Sequence, residues 1–199
     1  RKEFYDSEAL IDANTLQLRD ESFPFNYRSG KSRKTWIDVP AELRPYTVNR
    51  EEVNAIKNEL KRFIEYSRNK PPSDPRRDNP TQWEIAVLSP YQRQRKALVA
   101  MVQELTGLEH SMRFNLAEIE KPAPITIIVS TTDRFQGQEA DIVFISLRNS
   151  GKIGFLDSPN RMNVAITRAR EWRVIVGNWD YFARDKAMGD PMLRSLAQT

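Results

Sequence analysis

Two uninterrupted apolar runs, ITIIVS at 125–130 and IVFISL at 142–147, constrain this chain more than any other feature. A half-buried strand alternates apolar and polar side chains, whereas a continuous run needs cover on both faces, as inside a parallel sheet. Between the runs stands TTDRFQGQEAD, dense in charged and amide groups. In open parallel sheets ligands gather outside the carboxyl ends of the strands, so polar residues beside buried strands are the first place to look for chemistry.

The rest of the chain alternates in the same way. Trp36–Val39 reads as a short strand stopped by Pro40. Asn49 with Glu52 has the amide-for-hydroxyl form of a capping box, and Val53, Ile56, Leu60, Phe63 and Ile64 then recur at helical spacing. This helix reads as a core element with no chemistry. Ile85–Leu88 forms a strand broken by Ser89-Pro90, and the following helix carries Leu98, Met101, Val102 and Leu105 on one face. A polar connection is expected over 106–124, a helix from Asn160 to Glu171 and a last strand from Arg173 to Gly177. Strands alternating with helices predict one α/β domain over 1–199, with a mainly parallel sheet flanked by helices. Residues 1–34 read as a loop-rich lead and 69–80, NKPPSDPRRDNP, as an exposed proline-rich excursion.

Composition narrows the chemistry. With no cysteine and one histidine, His110, a disulfide framework, thiolate metal sites and histidine-based triads are improbable, and no metal ligand is assigned. No apolar run approaches the ~18 residues that span a bilayer. The chain reads as an internal fragment of a soluble, intracellular protein. A net charge of +4 gathers at Arg28–Lys34, Arg93–Lys96 and Arg161–Arg173, which suits a polyanion partner or a solvated basic surface.

Three stretches can carry function. In SPYQRQRK, 89–96, a turn into a helix amino end offers backbone N–H groups, the Ser89 hydroxyl and the charges of Arg93, Arg95 and Lys96 to a phosphate; the alternative is a solvated first turn with Tyr91 as a packing residue. In DRFQGQEAD, Gly137 permits an unusual backbone conformation or a close approach, while Gln136 and Glu139 can bond sugar hydroxyls or backbone groups. The alternative there is a structural loop capped by Asp133 and Asp141. In NRMNVAITRAR, 160–170, helical spacing sets Arg161 and Arg168 on one face and Arg170 nearly opposite. The two terminal arginines then do different jobs: one takes a bound polyphosphate, while the other pairs within the protein or reaches nucleic acid.

In this order, SPYQRQ, STTDRFQGQEADIVFISLRNS and GFLDSPNRMNVAITRAR followed by VIVGN resemble motifs IV, V and VI of the second RecA-like domain of superfamily 1 helicases, in the up-frameshift and senataxin-like branch. A weaker likeness runs from Phe4-Tyr5 to the last helix. The resemblance implies a fold of the P-loop NTPase type and an ATP-dependent motor. By it, Arg168 reaches the γ-phosphate of ATP, Glu139 holds the ribose, and Gln136 and Gly137 shape the nucleotide cleft. Ser89 and Thr131 match contacts to a single-strand backbone, and Tyr91 and Arg93 fall in the same motif. Gln138 departs from the family, which often has arginine there, and Arg148 is given no ligand.

The chain has no G-x-x-x-x-G-K-[ST] phosphate loop, so ATP with Mg2+ is expected to be held mainly by a first RecA-like domain upstream, with the family's adenine-stacking tyrosine lying before Phe4. The fragment alone is expected to be inactive. Two readings follow: half of a motor that moves on single-stranded RNA or DNA, or a helicase-like binding or docking module without turnover. A small-molecule enzyme built on Asp133 and Asp141 lacks its remaining parts.

Overall fold

The two apolar runs are neighbours of the same central strand in a computed structural model that describes residues 34–44, 47–72, 81–148 and 166–181. The elements are β1 (Lys34–Asp38), α1 (Arg50–Asn69), β2 (Trp83–Ser89), α2 (Gln92–Thr106), β3 (Arg113–Asn115), β4 (Ile125–Thr131), β5 (Ala140–Ser146) and β6 (Ala169–Gly177). They form one six-stranded sheet in the order β1-β6-β5-β2-β4-β3. Every pairing is parallel except β3 with β4. The expected α/β class with a mainly parallel sheet is the one observed.

Alternate residues of each central strand enter different cores, which is why the runs are continuous. Ile85, Val87, Ile127, Val129, Ile142, Phe144, Val174 and Val176 face a large cluster shared with Ile56, Leu60 and Phe63 of α1 and Leu98, Met101 and Val102 of α2. Ala86, Leu88, Ile128, Val143, Ile145 and Ile175 face a second cluster with Phe135 and Ile166. Phe63 anchors the helix layer by meeting Trp83 edge to face at 5.4 Å. Gly107, at φ +73, ends α2 in the left-handed conformation that a side chain disfavours.

Three expectations need correction. The polar connection over 106–124 contains β3, whose Phe114 is fully buried and whose backbone pairs antiparallel to β4. The expected helix to Glu171 stops early: Ala169 is already in β6, paired with Ala140, so Arg170 lies on a strand and the opposite-faces reading fails for it. Pairing with β5 overrides the helical propensity of Ala-Arg-Glu. The capping box is half made. Asn49 Oδ1 accepts from the backbone N–H groups of Glu51 and Glu52 at 3.0 and 3.3 Å, but the Asn49 N–H donates to Gln94 instead, and Glu52 turns into the core. The lead over 1–33, residues 73–80 of the proline-rich excursion, and 149–165, with Arg161 and the rest of the expected helix before Ile166, lie outside the described residues.

Candidate functional site

The candidate residues divide between opposite edges of the sheet, about 20 Å apart for seven-residue strands rising ~3.3 Å per residue. At the carboxyl edge β2 ends on Ser89 and β4 on Thr131, and these two are register partners. Ser89 is fully buried and Thr131 nearly so. Their hydroxyls accept from nearby backbone: Ser89 Oγ from Tyr91 N–H at 3.3 Å, Thr131 Oγ1 from Arg134 N–H at 3.4 Å. What reaches the surface here is half-buried Tyr91, the N-cap of α2, and exposed Arg93 in its first turn.

Arg93 opens onto a groove of about 900 Å³ between the amino ends of α1 and α2, lined also by Pro40, Arg44, Thr47, Arg50 and Lys96. Glu42 shares this wall and is held by Arg44 at 2.6 Å, whose side-chain hydrogen bond keeps the Glu42 carboxyl down at about 2. Arg50 and Arg44 escaped the sequence reading, although one signal was there. Helix first turns favour acids against the macrodipole, and α1 follows this with Glu51, which also lines the groove, and Glu52; the first turn of α2 instead carries Arg93 and Arg95 with no acid.

Beneath the groove lies a polar network that spacing could not reveal. Glu52 is fully buried, and its carboxylate accepts from Ser146 Oγ at 2.5 Å, from the Arg148 N–H at 2.9 and 3.0 Å and from Asn49 Nδ2 at 3.2 Å. Gln94 Nε2 donates to Ser146 Oγ and to the Asn49 carbonyl, both at 3.0 Å. Burial pushes the Glu52 carboxyl up to about 8, against the downward pull of Ser146 and Arg148.

The stretch after Thr131 crosses from the carboxyl edge back to the amino edge, where β5 begins. Phe135, fully buried against the second core, pins this crossover. Gly137 has φ +82, and a β-carbon there would meet nothing within 4 Å. Of the two roles open to it, backbone conformation is therefore the one the fold requires. Gln136, Gly137, Gln138 and Glu139 are all exposed. Arg168 stands just before β6, next to Glu139, its carbonyl accepting from the Ala140 N–H at 3.0 Å. The fold thus brings Glu139 and Arg168 onto one rim at the start of β5, while Gln136 and Gly137 lie in the turns that leave Thr131, whose carbonyl accepts from the Phe135 N–H at 3.1 Å. That rim is at the amino edge, opposite to where the carboxyl-end rule points.

Arg170 has a different place. Its Nη1 lies 2.9 Å from Glu84 Oε2 and 3.5 Å from Asp141 Oδ1, and its Nε lies 3.4 Å from Glu139 Oε2. Asp141 is buried, and its other oxygen accepts from the Glu84 N–H at 2.6 Å. Of the two terminal arginines, this one pairs within the protein. Among the described residues no group of three or more His, Cys, Asp or Glu could hold a metal ion, and no helix is long and apolar enough to cross a membrane.

A mainly parallel sheet with such a crossover and an arginine before the last strand fits the class to which the motifs point, a second RecA-like helicase domain. The chain belongs to the AAA domain family, whose model matches residues 1–180, and stands within it as a C-terminal domain of the superfamily 1, up-frameshift and senataxin-like branch. It is similar to helicase sen1 of Schizosaccharomyces pombe, 30% identical over all of this chain and 11% of that protein. It is 38% identical to the regulator of nonsense transcripts 1 homolog of Drosophila melanogaster, over 52% of this chain and 8% of that protein. With the DNA polymerase alpha-associated DNA helicase A of Saccharomyces cerevisiae the identity is 36%, over 57% of this chain and 14% of the other. The chain thus spans only between 8% and 14% of the length of these relatives.

Proposed function

We propose that this chain is the second motor domain of an ATP-dependent nucleic-acid helicase or translocase, its amino edge forming one wall of an ATP cleft and its carboxyl edge carrying a single strand. The observation that carries the reading is the hydrogen bond from the Ala140 N–H to the Arg168 carbonyl, which brings Arg168 next to exposed Glu139. The opposite wall would be a first RecA-like domain upstream, holding most of the contacts to ATP and its Mg2+.

The donor set fits one side of a nucleotide. Glu139 is an acceptor for sugar hydroxyls, the Gln136 amide both donates and accepts, the space over Gly137 is open, and Arg168 supplies a charge. Magnesium, where bound, would neutralise phosphate charge. The part left to this chain is to place a guanidinium where charge develops on the transferred phosphoryl group, worth about 10³–10⁵ in rate for an arginine finger. Closing and opening the cleft would move strand contacts on the two domains past one another.

At the carboxyl edge, Tyr91 and Arg93 with the basic groove suit the sugar-phosphate backbone, while Ser89 and Thr131 would act by shaping the turns that present them. Backbone recognition tolerates sequence and weakens steeply with salt. The relatives' names speak of nonsense transcripts in one case and of a DNA helicase in another, so the reading extends to a single strand of either kind. The rival, a binding module without turnover, draws on one observation: the basic groove lies on the other edge from the nucleotide rim and could hold a strand without it. ATP turnover by the complete protein, with and without single-stranded RNA or DNA, separates them. Strand-stimulated turnover supports the motor; no turnover with any strand leaves the binding module.

A further inference from the structure

We infer that Arg148 and Glu52 form a positioning clamp that presets the basic groove between the amino ends of α1 and α2 for the phosphates of a single strand. The inference rests on the strand-binding reading above and adds residues that touch no strand themselves.

Arg148 is the one described non-glycine residue with positive φ, at +40. Such a backbone is strained and persists only where its surroundings over-determine it. Here they do. The Arg148 N–H is gripped by both oxygens of Glu52, and its side chain, in a residue only 3% exposed, is turned inward. Its Nε donates to the Thr47 carbonyl at 2.5 Å, and its Nη2 donates to the Arg44 carbonyl at 2.7 Å and to Thr47 Oγ1 at 3.0 Å. Arg44 and Thr47 both line the groove, so this guanidinium fixes the backbone of one wall.

The opposite wall meets the same carboxylate. Gln94 sits in the first turn of α2 between groove-lining Arg93 and Lys96, and its amide is locked to Asn49 and to Ser146. Ser146 donates to Glu52, and Asn49 Nδ2 ties both Glu52 and the carbonyl of Pro40, another lining residue. Both walls therefore register on a single buried carboxyl group. For stability alone, apolar side chains of similar volume would serve as well or better than buried charge. What the network supplies in addition is fixed spacing between cations on separate elements, and preorganisation of this kind acts on affinity.

The test uses the complete protein and a fluorescent oligo-uridylate or oligo-thymidylate probe, with strand affinity, the KM for ATP and thermal unfolding read together. Arg148→Lys keeps the charge but cannot bond two carbonyls in the same fork. The expected result is about tenfold weaker strand binding with the KM for ATP unchanged. Should that variant fail to fold, Thr47→Val removes the hydroxyl that accepts from Arg148 and donates to the Arg44 carbonyl, and is expected to weaken the strand about threefold, with Thr47→Ser restoring it. Arg93→Ala with Lys96→Ala is measured in parallel. If that pair weakens binding while Arg148→Lys and Thr47→Val do not, the clamp is only structural and the inference falls alone. If none of the variants changes affinity, the strand does not use this groove, and the strand assignment falls with it.

Discussion

Arg170 Nη1 lies 2.9 Å from Glu84 Oε2, joining the start of β6 to the start of β2 across β5. The same guanidinium faces buried Asp141 and exposed Glu139. One arginine thus compensates a carboxylate in the core and tethers an exposed one just before β5.

Removing it should be felt at both places. Arg170→Ala strands Asp141 without its cation, and a destabilisation of about 2 kcal/mol is expected, below the ~3–5 kcal/mol of a fully buried pair because the arginine is 29% exposed. Denaturant unfolding of the variant checks the figure. Arg170→Lys should recover part of it.

Glu139 should report on the nucleotide without disturbing the strand. Glu139→Ala is expected to raise the KM for ATP about tenfold and to reduce discrimination against 2′-deoxy-ATP, with strand affinity unchanged. Steady-state kinetics with both nucleotides decide it; an unchanged KM and unchanged discrimination would remove Glu139 from the sugar contact.

Gly137 should be sensitive to backbone conformation and insensitive to size. A β-carbon has open space there, but φ of +82 penalises any L side chain, so Gly137→Ala should cost about 1–2 kcal/mol. Gly137→Asn should be tolerated better than Gly137→Val, because asparagine visits the left-handed region more readily. Thermal unfolding of the three variants ranks them.

The buried carboxyl of Glu52 gives stability a pH dependence. Its folded value of about 8 lies above the ordinary 4.5, so between those limits the native state holds a proton that the unfolded chain has released. Its contribution is therefore greatest below the lower limit, declines as pH rises through the window and is flat above the upper one. Glu52→Gln, neutral throughout, should flatten that decline, so the variant gains on wild type from about pH 5 to about pH 8. Unfolding midpoints across this range test the slope; parallel curves would contradict it.

Much of the sheet was legible because its signal is local. The runs in β4 and β5 can be buried only on both faces, which points to a parallel sheet covered by helices. β3 was not legible, since three residues with a single buried phenylalanine carry no period. The start of β6 was hidden by Ala169-Arg170-Glu171, which prefers helix until Ala140 pairs with it. Glu52 followed a capping pattern that is entirely local, while its partner Ser146 is 94 residues away. The candidate residues stood in the sequence as motifs, but that Glu139 and Arg168 lie at the opposite strand ends from Ser89 and Thr131 follows only from the crossover between Thr131 and Ala140.

That separation is the centre of the account, and Arg168→Ala in the complete protein tests it most directly, with strand-stimulated ATP turnover and single-strand affinity measured on the same preparation. The account predicts that turnover falls by a factor of about 10³ or more while strand affinity stays within about twofold of wild type. Normal turnover in the variant, or a loss of strand affinity equal to the loss of turnover, would contradict it.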